Sequence, residues 1–168
     1  MHIEPSIIVA LVLGIAVWLF MRWRSPRPKY EPMAIDLDDP LMVDALAKAK
    51  DGMAQFLRLA RTNKDSALVK LRFVSSSNQV EYLWAEVLEI ISDQEIGVRL
   101  LTPPVTHSGE LDRLYRCDTE DIEDWQVRDD KGKLYGGFSQ RAMFAIARRD
   151  GIKLPRDLLK NEYEYRDV

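Results

Sequence analysis

From Ile7 to Met21 the chain carries no charged side chain, and this run limits what the molecule can be more than any other feature of its sequence. At ~1.5 Å per residue a helix over it covers roughly 22 Å, short of the ~30 Å hydrocarbon core of a bilayer. Extension to Pro5 and Trp23 gives about 28 Å and places Trp18 and Trp23 near one interface. Pro5 suits a first helical turn, where its missing N–H is no loss; Glu4 complements the positive end of the helix dipole, and Arg22 and Arg24 complement the other end. A buried core helix would show a polar side, which this run lacks. A secretory signal would carry positive charge before the apolar stretch and a small-x-small site after it, and the sequence has neither. The expectation is an uncleaved transmembrane anchor over residues 1–24, with Pro5–Trp23 in the bilayer.

The flanks give the anchor a direction. Arg22, Arg24, Arg27 and Lys29 follow the run, while no Lys or Arg precedes it, so the positive-inside rule places the C-terminal bulk in the cytoplasm, with the N-terminus outside. Residues 25–39 form a proline-rich juxtamembrane linker: Pro26, Pro28 and Pro32 disfavour a helix and hold the chain extended. Residues 1–30 carry a net charge of +3 and the remainder −6, an acidic balance ill suited to nucleic acid. Cys117 is the single cysteine, which excludes an internal disulfide and a multi-thiolate zinc site. With 46% apolar residues the chain is too hydrophobic for disorder, and 168 residues allow one domain plus appendages.

Beyond the linker, Asp39-Pro40 pairs an N-cap with a first-turn proline, and Met42, Leu46, Ala49, Met53, Phe56 and Ala60 recur at spacings of four and three. This predicts one amphipathic helix of about 20 residues that packs on a sheet. After Asp65 the period becomes two. Strands are expected at Val69–Phe73, Val80–Ile91, Ile96–Leu100, Leu114–Cys117, Trp125–Arg128 and Lys133–Tyr135. Both sides of the second strand are largely apolar, as in a strand covered on two faces or bent around a small barrel. Ser139 is expected to cap a second helix that runs to Arg149 and stops at Asp150-Gly151. The fold class is therefore α+β: a transmembrane helix, then a small antiparallel sheet or open barrel flanked by two helices. The cytoplasmic domain spans residues 40–150, and residues 151–168 form a charged tail holding a docked half-helix.

Three short patterns carry a resemblance: Glu81-Tyr82-Leu83-Trp84, Ile122-Glu123-Asp124-Trp125 and Gly136-Gly137-Phe138. With Val69-Lys70-Leu71-Arg72-Phe73 before them, in this order, the chain resembles the bacterial domain of unknown function 2314 family over roughly residues 41 to 147. The resemblance implies a fold and domain limits, and it transfers no catalytic residue. The acid-rich stretch before Trp125 and the anchor look like features of this member. Read from the residues alone, Trp84 and Trp125 are large aromatics that hold a small core together. Asp124 is placed to accept a hydrogen bond from a turn backbone or an indole N–H, and Gly136-Gly137 permits a bulge or positive φ before the second helix.

No catalytic set assembles from the sequence. The five carboxylates between Asp118 and Asp124 lack the alternation and central glycine of a Ca²⁺ loop and read as a solvated acidic turn. His107 and Cys117 make a thiolate-imidazole pair only if the fold joins them, and there is no Gly-x-Ser-x-Gly elbow or phosphate loop. Arg141, Arg148, Arg149, Lys153 and Arg156 read as cations paired with the domain's surplus acids. No cofactor and no metal is expected. The leading expectation is a membrane-tethered protein-interaction module that binds a protein partner at a sheet edge or beside the first helix, and no nucleic acid. Its binding residues are sought among Trp84, His107, Asp124, Trp125, Gly136 and Gly137. Two alternatives stand beside it: a membrane-anchored hydrolase or small-molecule binder with a pocket near Trp84, His107 and Trp125, and an immunity-type protein that neutralises a toxin.

Overall fold

The computed structural model describes residues 36–74, 77–102, 104 and 113–166, all within the unit Ile35–Val168. The expected anchor over Pro5–Trp23, most of the linker and His107 lie outside the described residues. Among the described residues no helix is long and apolar enough to cross a membrane.

Asp39 caps helix α1 (Pro40–Asp51) by accepting the N–H of Leu41 at 2.9 Å, and Pro40 opens the first turn as its fixed φ favours. Helix α2 (Met53–Thr62) follows after the single residue Gly52. The single helix expected from the stripe is thus two, and the cause lies 76 residues away. The Trp125 indole N–H donates to the Ala49 carbonyl at 3.0 Å, the acceptor a continuous helix would offer to the N–H of Met53. A side chain inserted into the i→i−4 ladder is a recognised cause of a helix break. The indole also occupies the space beside Gly52, where an added Cβ would sit 2.9 Å from Trp125 Cζ2. The stripe itself holds across the break, since Met42, Ala49, Phe56 and Ala60 are all buried.

Among the described residues six strands form one antiparallel sheet: β1 (Ala67–Val74), β2 (Val80–Ile90), β3 (Glu95–Leu100), β4 (Tyr115–Asp118), β5 (Ile122–Arg128) and β6 (Leu134–Gly136), in the order β4-β3-β2-β1-β5-β6. Strand β5 begins at Ile122, three residues before the start expected from sequence. A topological mismatch shapes this sheet. Strands β4 and β5 stand four positions apart, about 19 Å in a flat sheet at ~4.8 Å per strand, yet only the 3-10 turn Thr119–Asp121 joins them. That link reaches at most about 14 Å. The sheet must therefore curl, and register shifts at Lys70/Leu71 and at Val87/Glu89 supply bends of the kind bulges provide. Consistent with this, Leu71 and Phe73 of β1 share a cavity of about 350 Å³ with Tyr115 and Cys117 of β4, three strands away.

The core sits between the concave face and α1–α2, with Val69, Ala85, Val98, Ile122, Trp125 and Phe56 excluded from solvent. Strand β2 is not covered equally on both sides. Leu83, Ala85 and Val87 are buried, whereas Tyr82, Trp84, Glu86 and Leu88 are half-buried on the convex face. Among the described residues, α3 (Phe138–Arg149) packs on α1 through Met42, Ala45, Ala142 and Ile146, and α4 (Arg156–Glu162) lies in the tail where a half-helix is expected, so the one departure in helices is the division of the first into α1 and α2.

Candidate functional site

The motif residues converge at one junction, where β5, the end of β6 and the start of α3 meet. Gly136 and Gly137 both take positive φ, +77° and +62°, and this pair turns the chain from β6 into α3. The first helical residue is Phe138, so Ser139 is not the N-cap. The capping group comes instead from β5. The Asp124 carboxylate accepts the backbone N–H of Phe138 at 3.1 Å and of Ser139 at 2.8 Å, the N–H of Trp125 at 2.8 Å and the Ser139 hydroxyl at 2.7 Å. An anion at a helix N-terminus satisfies two otherwise orphaned donors and complements the dipole. Asp124 is fully buried, and that burial pushes its carboxyl upward from the usual carboxylate range, against the hydrogen bonds from Ser139, Trp125 and Phe138 that hold it down. Of the two partners considered for Asp124, the turn backbone is the one used; the indole N–H goes to Ala49.

Trp125 packs between Phe56 and Phe138, whose ring centroids lie 5.6 and 5.5 Å away. Trp84 does not join it. In the sheet register Trp84 pairs with Lys70 and Lys70 with Asp124, one row; Ala85, Val69 and Trp125 form the next row, on the opposite face. A pocket floored by both tryptophans therefore does not form, because adjacent cross-strand rows project to opposite sides of a sheet. Trp84 instead flanks Lys70, whose Nζ lies 6.0 Å from its ring and 5.5 Å from that of Tyr82.

Lys70, to which the sequence analysis gave no role, meets Ser139 here. Lys70 Nζ donates to Ser139 Oγ at 3.2 Å, and burial lowers its pKa against the raising influence of Asp124 and Glu123. A lysine beside a serine suggests a nucleophile and its base. Ser139 is 3% exposed, however, and its hydroxyl and N–H are both committed to Asp124, so no substrate atom reaches it. The sequence holds no signal for this pairing, since Lys70 alternates with apolar neighbours just as Arg72 does.

Cys117 lies on β4, half-buried, and burial together with Asp121, Asp118 and Glu95 pushes its thiol up to about 12. A neutral thiol is a poor nucleophile. Native protein at pH 8 is expected to react with iodoacetamide about 100- to 1,000-fold more slowly than urea-unfolded protein. Equal rates in the two states would contradict this placement. No group of three or more metal-ligating side chains occurs among the described residues, and the turn Thr119–Asp121 exposes Glu120 and Asp121 to solvent.

Above the junction lies a groove of about 790 Å³ between α1 and α3. Its floor is apolar and small (Ala45, Gly52, Phe138, Ala142, Ala145), and Asp44, Lys48, Asp51, Arg141 and Glu162 stand around its rim. The pair Asp44–Lys48 is exposed, at 2.7 Å, and adds little stability. Of the expected cationic cluster, Arg149 bridges Asp39 and Asp150, and Arg148 pairs with Glu162.

Residues 39–150 match the family described as "Uncharacterized protein conserved in bacteria (DUF2314)". The chain belongs to this family. The match begins at the N-cap of α1 and ends at the C-cap of α3, so the DUF2314 domain includes the curled sheet, both packing helices and the Asp124–Gly137 junction, and the tail with α4 lies beyond it. No curated protein and no solved structure matches the chain.

Proposed function

We propose that this DUF2314 protein is a membrane-tethered interaction module, anchored through Pro5–Trp23 with its domain in the cytoplasm, and that a protein partner docks in the groove between α1 and α3. One observation carries the reading. The two fully buried motif side chains that bear polar groups are used inside the fold: Asp124 caps α3, and the Trp125 indole gives its N–H to Ala49. What remains open to a partner is an apolar floor with a charged rim, the layout of a protein-docking surface. The apolar run and the arginines behind it support the anchor and its direction.

Half-buried Ala145 faces the groove, so a photo-crosslinking side chain there tests the reading in intact cells. We expect one discrete adduct from position 145 and none from the exposed Ile152, and loss of the adduct when Leu41 on the opposite rim is changed to Glu. Adducts of equal yield from both positions would remove the groove from consideration. Carbonate washing of vesicles tests the anchor separately: the protein is expected to stay in the membrane pellet, and recovery in the supernatant would refute the tether.

A further inference from the structure

The tail beyond the family match is seated on the domain as a peptide ligand would be. Leu134 of β6 donates its N–H to Glu164 O at 3.2 Å, and Arg166 donates its N–H to Leu134 O at 2.8 Å, so residues 164–166 add a parallel bridge to an edge strand. Between these bonds the Tyr165 side chain turns inward, 9% exposed, onto Gly137. The fit needs that glycine: a Cβ there would lie 2.7 Å from Tyr165 Oη. The hydroxyl donates to Gln126 Oε1 at 3.3 Å, Arg141 lies 6.0 Å over the ring, and Glu164 pairs with Arg128 at 2.6 Å. Backbone bonds from a sheet edge, plus one pocket for an alternate side chain, are the elements of peptide recognition by strand addition.

We infer that the β6 edge, with its Gly137 notch, is a binding site for an extended segment bearing a tyrosine flanked by charged residues, and that the C-terminal tail occupies it in cis as a detachable strap. Three features make the strap detachable. Among the described side chains of the tail, Tyr165 alone is fully seated, with Leu154 and Leu158 half-buried beside Phe144. The ion pair Arg128–Glu164 is 42% exposed on both sides, as suits a weak contact. The tether is exposed at Gly151, Ile152 and Lys153, and segments held by few buried contacts open at the low end of the stability range. Strand β6 falls inside the family match, which closes at Asp150, and the tail that pairs with it falls outside. An unpaired edge is a ready template for another strand. Tyr165 and Glu162 of the tail also line one end of the α1–α3 groove, but Gly137 and the β6 edge lie outside it, so peptide binding at the edge and crosslinking from position 145 are read independently.

The test uses the full chain with a protease site inserted between Gly151 and Leu154, before and after cleavage. The probe is a fluorescein-labelled synthetic peptide with the sequence Arg156 to Val168, alongside the same peptide carrying Tyr165→Ala. The cleaved chain is expected to keep its circular dichroism and to bind the probe saturably, at least about tenfold tighter than the uncut chain, with the Tyr165→Ala peptide weaker by about tenfold or more. Equal binding to cut and uncut chain, no binding to the cut chain, or equal binding by both peptides overturns the inference. So does a cut chain that unfolds or never releases its own tail, because the segment is then an integral part of the fold.

Discussion

Gly136→Ala is expected to remove a large part of the stability of the native fold. Gly136 and Gly132 share a φ of +77°, yet they differ in surroundings: nothing lies within 4 Å of a Cβ added at Gly132, whereas at Gly136 it would meet the Trp125 carbonyl oxygen and lie 2.7 Å from Trp125 Cζ3. The oxygen is fixed by the backbone bond it accepts from Gly137 N at 2.6 Å, and the ring by Phe56, Phe138 and Ala49, so neither can withdraw. Left-handed backbone alone costs an alanine roughly 1–2 kcal/mol. Gly132→Ala should therefore lower stability by about that amount, and Gly136→Ala by more than about 4 kcal/mol, in the range of severe core disruption. Urea titration of the two variants side by side isolates the clash from the strain. Comparable midpoints would show that Gly136 is not pressed against Trp125.

The second large effect is expected at Asp124. Asp124→Ala removes one carboxylate and strands the N–H groups of Trp125, Phe138 and Ser139 together with the Ser139 hydroxyl. Each buried donor left unpaired costs about 1–3 kcal/mol, but small rearrangements admit water to some, so the total loss should be about 3–5 kcal/mol. Asp124→Asn keeps the shape and one acceptor oxygen while presenting an amide NH₂ to the donors of Ser139, and should recover only part of the loss. A double-mutant cycle with Ser139→Ala should give a coupling of about 1–2 kcal/mol, the scale of a charge-assisted hydrogen bond. Additive losses would mean that the 2.7 Å contact between Ser139 Oγ and Asp124 contributes nothing.

Much of the architecture follows from local pattern. The alternation through Val69, Leu71 and Phe73 leads to β1, and the four-and-three spacing from Met42 to Ala60 leads to the buried helical stripe. Asp150-Gly151 ends α3 as its turn chemistry suggests, with Gly151 at φ +70°. Positive φ at Gly136 and Gly137 is equally legible, because only glycine takes it without strain. The candidate site was legible in part. Asp124, Trp125, Gly136 and Gly137 do meet, while Trp84 shares the face of Asp124 and so lies opposite to Trp125, because the strand period says which residues share a side of one strand but not which side of another they will match. Tyr165 carried no signal, since a charged aromatic tail looks the same whether it docks or not.

Sequence alone determined the features that a residue and its near neighbours decide: the apolar run, the helical and strand periods, the turn glycines, the acidic balance and the family. Tertiary structure decided the features that depend on partners distant in the chain. Trp125 divides a helix by reaching Ala49, Asp124 caps a helix it does not precede, and a three-residue link curls a six-stranded sheet. The physical reason is common to all three. A hydrogen-bond donor or acceptor will take any well-placed partner once water is excluded, and which partner is well placed is settled by packing rather than by position along the chain.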